Sequence, residues 1–386
     1  MKIAICGAGT VGRGVTQILQ DNQALITART GKAIEITVVA SRSAPTDKIF
    51  KGIAYTADIV SVCRRDDVDV VVELIGGTTD AKVLIETALG AGKSVVTANK
   101  ALIAEHGDAL FALAAAHKVS LLYEAAVAGS IPIIKVIKES LAGNQVAWLA
   151  GIINGTANFI LTEMAASGPT RTFDEVLQEA QALGYAEADP TFDIEGIDAA
   201  HKLTILSALA FDQPLRLDRV EIEGISSLDP VDFKFARELG FKIKHLGIAR
   251  CQNGQLEMAV HPSFVPTTAI LSQIDGVQNA VLVCGDAAGE ILCTGAGAGA
   301  GGVGGTFAPH GHGPPSLAAG SRQLRAHLSA LGHLATAPRC SPGAPLGAAA
   351  VPLPLYRPPL ARSPAAAAAA EIGRAHVELQ SHSEIS

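Results

Sequence analysis

The stretch Lys2-Ile3-Ala4-Ile5-Cys6-Gly7-Ala8-Gly9-Thr10-Val11-Gly12 decides the fold. A short apolar run leads into a glycine-rich turn, and helical spacing begins at once over residues 11–20. A G-x-G-x-x-G pattern means little alone, but between a strand and a helix at the start of a βαβ unit it marks a dinucleotide site. Gly7 permits the tight turn, Gly9 lets the backbone approach a pyrophosphate, and Gly12 allows helix and strand to pack closely. Thr10 and Val11 open the helix, whose unpaired N–H groups turn a partial positive charge toward the phosphates.

Outward from this loop, β-branched runs recur at 34–40, 68–75, 94–97 and 119–123, with helical spacing at 81–91 and 106–117 between them. That alternation predicts an α/β Rossmann nucleotide-binding domain over residues 1–130. The texture then changes. A linking helix is expected at 131–141, a strand at 145–153, and amphipathic helices at 173–183 and 199–210. Residues 131–298 read as a second, α+β domain.

A chain of 386 residues has room for both domains and a sizeable core. The net charge of −7 gives it no attraction to nucleic acid or to an anionic membrane. No apolar run approaches the roughly 20 residues that span a bilayer. Residues 1–5 run straight into the first strand, leaving no room for a signal peptide. Six cysteines without a C-x-x-C pair argue against a zinc site and a disulfide framework. The expected location is the cytoplasm.

Near residue 299 the composition breaks. From Ile291 to Ala370 there is no Asp, Glu or Lys, whereas a packed domain carries both signs of charge on its surface. One reading is a Pro/Ala-rich linker or interaction segment. The favoured one is GC-rich DNA translated out of frame, with residues 371–382 resembling translated adapter sequence. Residues 299–386 are therefore expected to be an aberrant, disordered tail without a functional domain.

The second strand ends at Ala40-Ser41-Arg42-Ser43, where an NAD-specific site usually places an acid for the ribose 2′-hydroxyl. Arg42 between two serines suits a 2′-phosphate instead, so NADP(H) is preferred over NAD(H). The plainer alternative is a solvated loop arginine. Further on, Glu187, Asp189, Asp193, Glu195 and Asp198 crowd together among Gly184, Pro190 and Gly196. Clustered acids are usually a solvated face, but a substrate with an α-ammonium group needs carboxylates to receive it. Asp198 and Lys202, four apart on one helix face, can pair.

Several stretches then fall in one order and spacing over about the first 300 residues. They are Val72-Glu73-Leu74-Ile75-Gly76-Gly77, Val95-Val96-Thr97-Ala98-Asn99-Lys100-Ala101-Leu102, Tyr123-Glu124-Ala125-Ala126-Val127-Ala128-Gly129 and Gly151-Ile152-Ile153-Asn154-Gly155-Thr156. The longest runs from Leu183-Gly184-Tyr185-Ala186-Glu187-Ala188-Asp189-Pro190 to Asp198-Ala199-Ala200-His201-Lys202-Leu203. The set resembles the homoserine dehydrogenases, and it is far more specific than the glycine loop.

The resemblance implies reversible NAD(P)H-dependent reduction of L-aspartate 4-semialdehyde to L-homoserine, in threonine and methionine biosynthesis, by a homodimer joined through its second domain. It makes Lys202 the acid that protonates the aldehyde oxygen and sets Lys100 between cofactor and substrate, where its charge steadies the developing alkoxide. Gly76 joins the cofactor-binding residues. Glu187 receives the substrate amino group, with Asp193 and Asp198 in the same pocket. Glu124, Val127, Gly129 and Ile131 match positions around a monovalent cation such as sodium, mostly through backbone carbonyls. The close alternative for Glu124 is a buried acid bonded to backbone, and His201, beside Lys202 but on another side of the helix, reads as structural.

After Gly295-Ala296-Gly297-Ala298-Gly299 the chain departs from the family, which continues into a Thr-Ala-containing helix and often a regulatory ACT domain. That departure leaves a rival: a module that binds nucleotide and turns nothing over. A second rival is another dehydrogenase on the same scaffold. A phosphorylating semialdehyde dehydrogenase would need a nucleophilic cysteine, and Cys63 and Cys284 stand in no such context.

Overall fold

A computed structural model of the chain describes residues 1–167, 170–252 and 254–297. The expectations for residues 299–386 lie outside the described residues.

Among the described residues, strands form two six-stranded sheets. The first comprises β1 (Lys2–Cys6), β2 (Glu35–Ala40), β3 (Ala54–Thr56), β4 (Val70–Glu73), β5 (Ser94–Thr97) and β6 (Leu121–Leu122). All its pairings are parallel, in the order β3-β2-β1-β4-β5-β6. The order reverses between β1 and β4, and a doubly wound sheet opens its ligand crevice at the carboxyl ends of the strands flanking that reversal. Strand periodicity of two sorts the β1 side chains onto both faces. Ala4 and Cys6 join the core under the helices Asp80–Gly90 and Lys100–Ala116. Ile3 and Ile5 pack with Val15 and Leu19 of the helix Thr10–Asp21. Burial on both faces is why these strands read as continuous apolar runs.

The second sheet contains β7 (Val146–Ile152), β8 (Val220–Ile222), β9 (Phe241–Gln252), β10 (Gln255–Pro266), β11 (Gln278–Gly285) and β12 (Gly289–Ala296). Its order is β12-β11-β7-β9-β10-β8, antiparallel throughout except where β8 joins β10. The helix Ile197–Phe211 lies against it, buried from Asp198 to Ser207.

The expected strands and helices form with ends moved by a few residues, with informative exceptions. The helix expected at 106–117 begins at Lys100, because the Asn99 side chain caps it by accepting from the Leu102 N–H at 3.1 Å. The linking helix expected at 131–141 is instead one α-helical turn, Ile133–Lys135, followed by a π-helical turn, Val136–Ser140. Pro132 and the β-branched crowd Ile133, Ile134, Val136 and Ile137 are poor material for a regular helix. The helix Gly155–Ser167 was not legible as an amphipathic segment, since residues 156–161 are buried on successive positions and leave no polar face.

One buried histidine makes the fold acid-sensitive. His245 on β9 lies with its Nε2 2.9 Å from the Glu223 carbonyl, which can only accept, so Nε2 carries the proton and Nδ1 has no partner. Burial pushes its pKa down from 6.5 to about 4. Between these values the unfolded chain binds a proton that the folded chain refuses, so stability falls as pH drops from 6.5 toward 4, by up to about 3 kcal/mol. Urea unfolding at pH 7.5 and pH 5 should show this loss, and His245→Gln, which can still donate to the Glu223 carbonyl, should flatten it. An unchanged pH slope in that variant assigns the acid sensitivity elsewhere.

Candidate active site

The crevice between β1 and β4 has the shape a dinucleotide needs. Gly7 has φ +115°, and a Cβ there would sit 2.5 Å from the Leu74 carbonyl oxygen. A Cβ on Gly12 would lie 1.9 Å from the Gly7 carbonyl oxygen. These two glycines are required by the protein's own packing. Gly9 differs: nothing stands within 4 Å of the position a Cβ would take, and it caps the helix Thr10–Asp21 without a side-chain bond. A phosphate fits that open cradle, facing the helix N-terminus that Thr10 and Val11 begin. Arg42 stands exposed after β2, where Ser41 bonds the Ser43 carbonyl at 2.8 Å and Tyr55 bonds the Ser41 carbonyl at 3.0 Å.

Glu73, which carries no assigned role in the sequence, builds the opposite wall. Fully buried, it accepts from the Ile75 and Gly76 N–H groups at 2.9 and 3.0 Å and from the Thr97 hydroxyl at 2.5 Å. The same hydroxyl oxygen accepts from the Asn99 N–H, and the Asn99 amide donates to the Gly77 carbonyl at 2.7 Å. One network therefore fixes the turn at Gly76 and the start of the helix that carries Lys100.

Beyond this wall lies a cleft of about 470 Å³. Asp198 and Lys202 share a face of Ile197–Phe211, and the lysine Nζ donates to Asp198 Oδ2 at 2.5 Å and to the Ile153 carbonyl at 2.7 Å. Lys100 reaches the other oxygen of Asp198 at 3.1 Å. Asn154 donates to Asp198 at 2.9 Å and to Asp193 at 2.8 Å, and Thr156 bonds Asp193 at 3.1 Å. Burial pushes the Asp198 pKa upward, but the Lys202 and Lys100 ammonium groups outweigh it, aided by hydrogen bonds from Lys202 and Asn154, and hold it at about 2. Glu187 lines the cleft from an exposed position. His201 packs edge-on against Phe192, 5.4 Å between ring centroids, while the Lys100 Nζ lies 5.5 Å from the same ring.

Asn154, Thr156 and Phe192 had no assigned role in the sequence. A polar triplet directly after an apolar strand was the available signal, since Asn154 Oδ1 accepts from the Ala157 N–H as a helix cap does.

Glu124 is buried, its two oxygens accepting from the Ile134 and Lys135 N–H groups at 2.8 and 3.1 Å. Burial raises its pKa to about 7 against those bonds. Val127 and Gly129 lie on the turn that follows, and the Ile131 carbonyl accepts from the Ile133 N–H at 2.8 Å. Among the described residues no group of three or more His, Cys, Asp or Glu could hold a metal. A site here would rest on carbonyl oxygens and one carboxylate, a donor set for a hard cation.

Fold and site together define a nicotinamide-nucleotide-dependent oxidoreductase. The NAD-binding domain model of homoserine dehydrogenase matches residues 7–124, and the homoserine dehydrogenase domain model matches residues 132–306. The homoserine dehydrogenase of Pseudomonas aeruginosa is 54% identical over 300 residues, covering 78% of this chain and 68% of that protein. A crystal structure of a homoserine dehydrogenase from Thiobacillus denitrificans aligns with a TM-score of 0.77 at 46% identity, over 86% of this chain and 75% of that one. A hyperthermophilic archaeal homoserine dehydrogenase in complex with NADPH aligns at 0.67 and 25% identity, over 85% of this chain and 97% of that one. The chain belongs to the homoserine dehydrogenase family. The rival reading of a nucleotide-binding module without chemistry is not favoured.

The Asp198 arrangement makes a sharp stability prediction. Asp198→Asn leaves a buried ammonium on Lys202 without its counter-charge, which should cost about 3–5 kcal/mol. Thermal and urea unfolding of the variant measure it. A loss under about 1 kcal/mol, the range of exposed pairs, would show that solvent already carries the lysine charges.

Proposed function

We propose that the protein interconverts L-aspartate 4-semialdehyde and L-homoserine, with NADP(H) preferred over NAD(H). The observation that carries this reading is the single carboxylate of Asp198 holding both Lys202 and Lys100 at the floor of a cleft rimmed by further acids. When bound in the Gly7–Gly12 cradle, the nicotinamide nucleotide supplies the hydride.

An ammonium group has three N–H bonds. Lys202 gives one to Asp198 and one to the Ile153 carbonyl, so the third is left to donate to the aldehyde oxygen. That proton completes the alcohol as negative charge grows on oxygen, and in reverse the same nitrogen takes it back. Lys100, held by Asp198 and the Phe192 ring, adds positive charge beside the oxygen. Glu187, with Asp193 nearby, receives the substrate ammonium group. Arg42 receives the 2′-phosphate, with Gly7, Gly9, Thr10, Val11, Gly12 and Gly76 around the rest of the nucleotide. Glu124 and the Val127, Gly129 and Ile131 carbonyls hold a monovalent cation such as sodium. The enzyme works as a cytoplasmic homodimer in threonine and methionine biosynthesis, its nucleotide domain spanning residues 1–130 and its catalytic domain 131–298.

Lys202→Ala should lower kcat by about 10²–10⁴ in steady-state assays, the range for losing a general acid, and an unchanged kcat removes Lys202 from the chemistry. Arg42→Asp should weaken NADPH binding at least about tenfold while leaving NADH nearly untouched, since a charge-assisted bond contributes roughly 1.5–3 kcal/mol. Equal affinity of the parent for both nucleotides would place Arg42 outside the site.

A further inference from the structure

Among the described residues, the buried side-chain polar atoms without a hydrogen-bond partner belong to His201, Ser207, His245 and Asn279. Asn279 differs from the others in two respects. Both its amide nitrogen and its amide oxygen are unpartnered, and of the four residues it alone lines the cleft that holds Asp198 and Lys202. It is only 1% exposed. A primary amide buried with neither its donor nor its acceptor engaged is costly, so its presence needs a reason.

Asn279 sits near the start of β11, opposite Gly295 of β12. Its amide faces two glycines. A Cβ on Gly297 would lie 2.9 Å from both polar atoms, and one on Gly155 would lie 3.7 Å from the oxygen. Gly155 is the first residue of the 13-residue helix Gly155–Ser167, so the amide stands beside the partial positive charge of a helix N-terminus. The same cleft is lined by the carboxylates of Glu187 and Asp193.

We propose that Asn279 reads the α-amino-carboxylate end of the substrate, its oxygen accepting from the ammonium group and its nitrogen donating to the carboxylate. This rests on the amino-acid substrate proposed above and adds a specificity residue to that site. The nitrogen and oxygen of one carboxamide are spaced much as the ammonium nitrogen and a carboxylate oxygen on one α-carbon. A single side chain thus meets both groups, with the acids of the cleft supporting the cation. An analogue lacking either group leaves half of the amide unpaired, so the site rejects deaminated and decarboxylated analogues.

The test uses the full chain with Asn279→Leu, which keeps the branching and removes both polar atoms, and Asn279→Asp, which keeps the size. In Asn279→Leu the ligand-free melting temperature should not fall, because two unpaired polar atoms are gone. In both variants KM for aspartate 4-semialdehyde should rise about tenfold or more, with KM for NADPH unchanged. L-homoserine should raise the melting temperature of the parent by mass action and lose that effect in the variants. A lower melting temperature in Asn279→Leu with KM for the aldehyde unchanged makes the residue structural. A rise confined to KM for NADPH assigns the amide to the nucleotide's carboxamide. Either result overturns the proposal. A parent that neither turns over the aldehyde nor is stabilised by L-homoserine sinks the substrate reading along with it, whereas an active parent with unaffected variants sinks this inference alone.

Discussion

Asp198 keeps a charge where only 4% of its surface meets water, and it does so because two ammonium groups and an amide surround it. An isolated carboxylate at that depth would neutralise itself. Its partners come from separate elements: Lys202 from one turn along the same helix, Lys100 from the helix after β5, and Asn154 from the end of β7. Holding the charge therefore means holding three strand and helix ends in register. The positions of both lysines, and of the acids that Asn154 and Thr156 restrain, follow from that one requirement.

On the nucleotide side of the cleft, hydrogen bonds from neutral donors organise the wall at Glu73. Glu73 is satisfied by two backbone N–H groups and the Thr97 hydroxyl, and the network runs on through Asn99 to Gly77. The two arrangements divide the work. Backbone bonding around Glu73 sets the shape of a turn against which Gly7 is already in contact. The paired charges around Asp198 set where the two lysine ammonium groups sit. Lys100 belongs to both, since Asn99 caps its helix and Asp198 receives its side chain.

Legibility varied with the kind of information each element carries. The parallel strands and their helices could be read because burial on two faces leaves continuous apolar runs, and the glycine loop because its spacing is a steric necessity. The helix Gly155–Ser167 could not, because burial on nearly every side erases periodicity. Residues 131–141 look like a linking helix in the sequence, whereas Pro132 and the β-branched residues after it break the regular spiral. Glu124 has two readings in the sequence, and its bonds from the Ile134 and Lys135 N–H groups exist only once the turn beside it is folded.

The sequence by itself determined the strand–helix alternation at the N-terminus, the family, and the pairing of Asp198 with Lys202, since each depends on residues close in the chain or on a spacing that one element imposes. The tertiary structure decided what depends on distant residues meeting. It brought Lys100 to the far oxygen of Asp198, Asn154 between two aspartates, Glu73 to the Thr97 hydroxyl, and the unpaired amide of Asn279 to the cleft wall. Local spacing constrains which side chains share a helix face. It says nothing of which strand ends converge, and hydrogen bonds, being short and directional, exist only where they do.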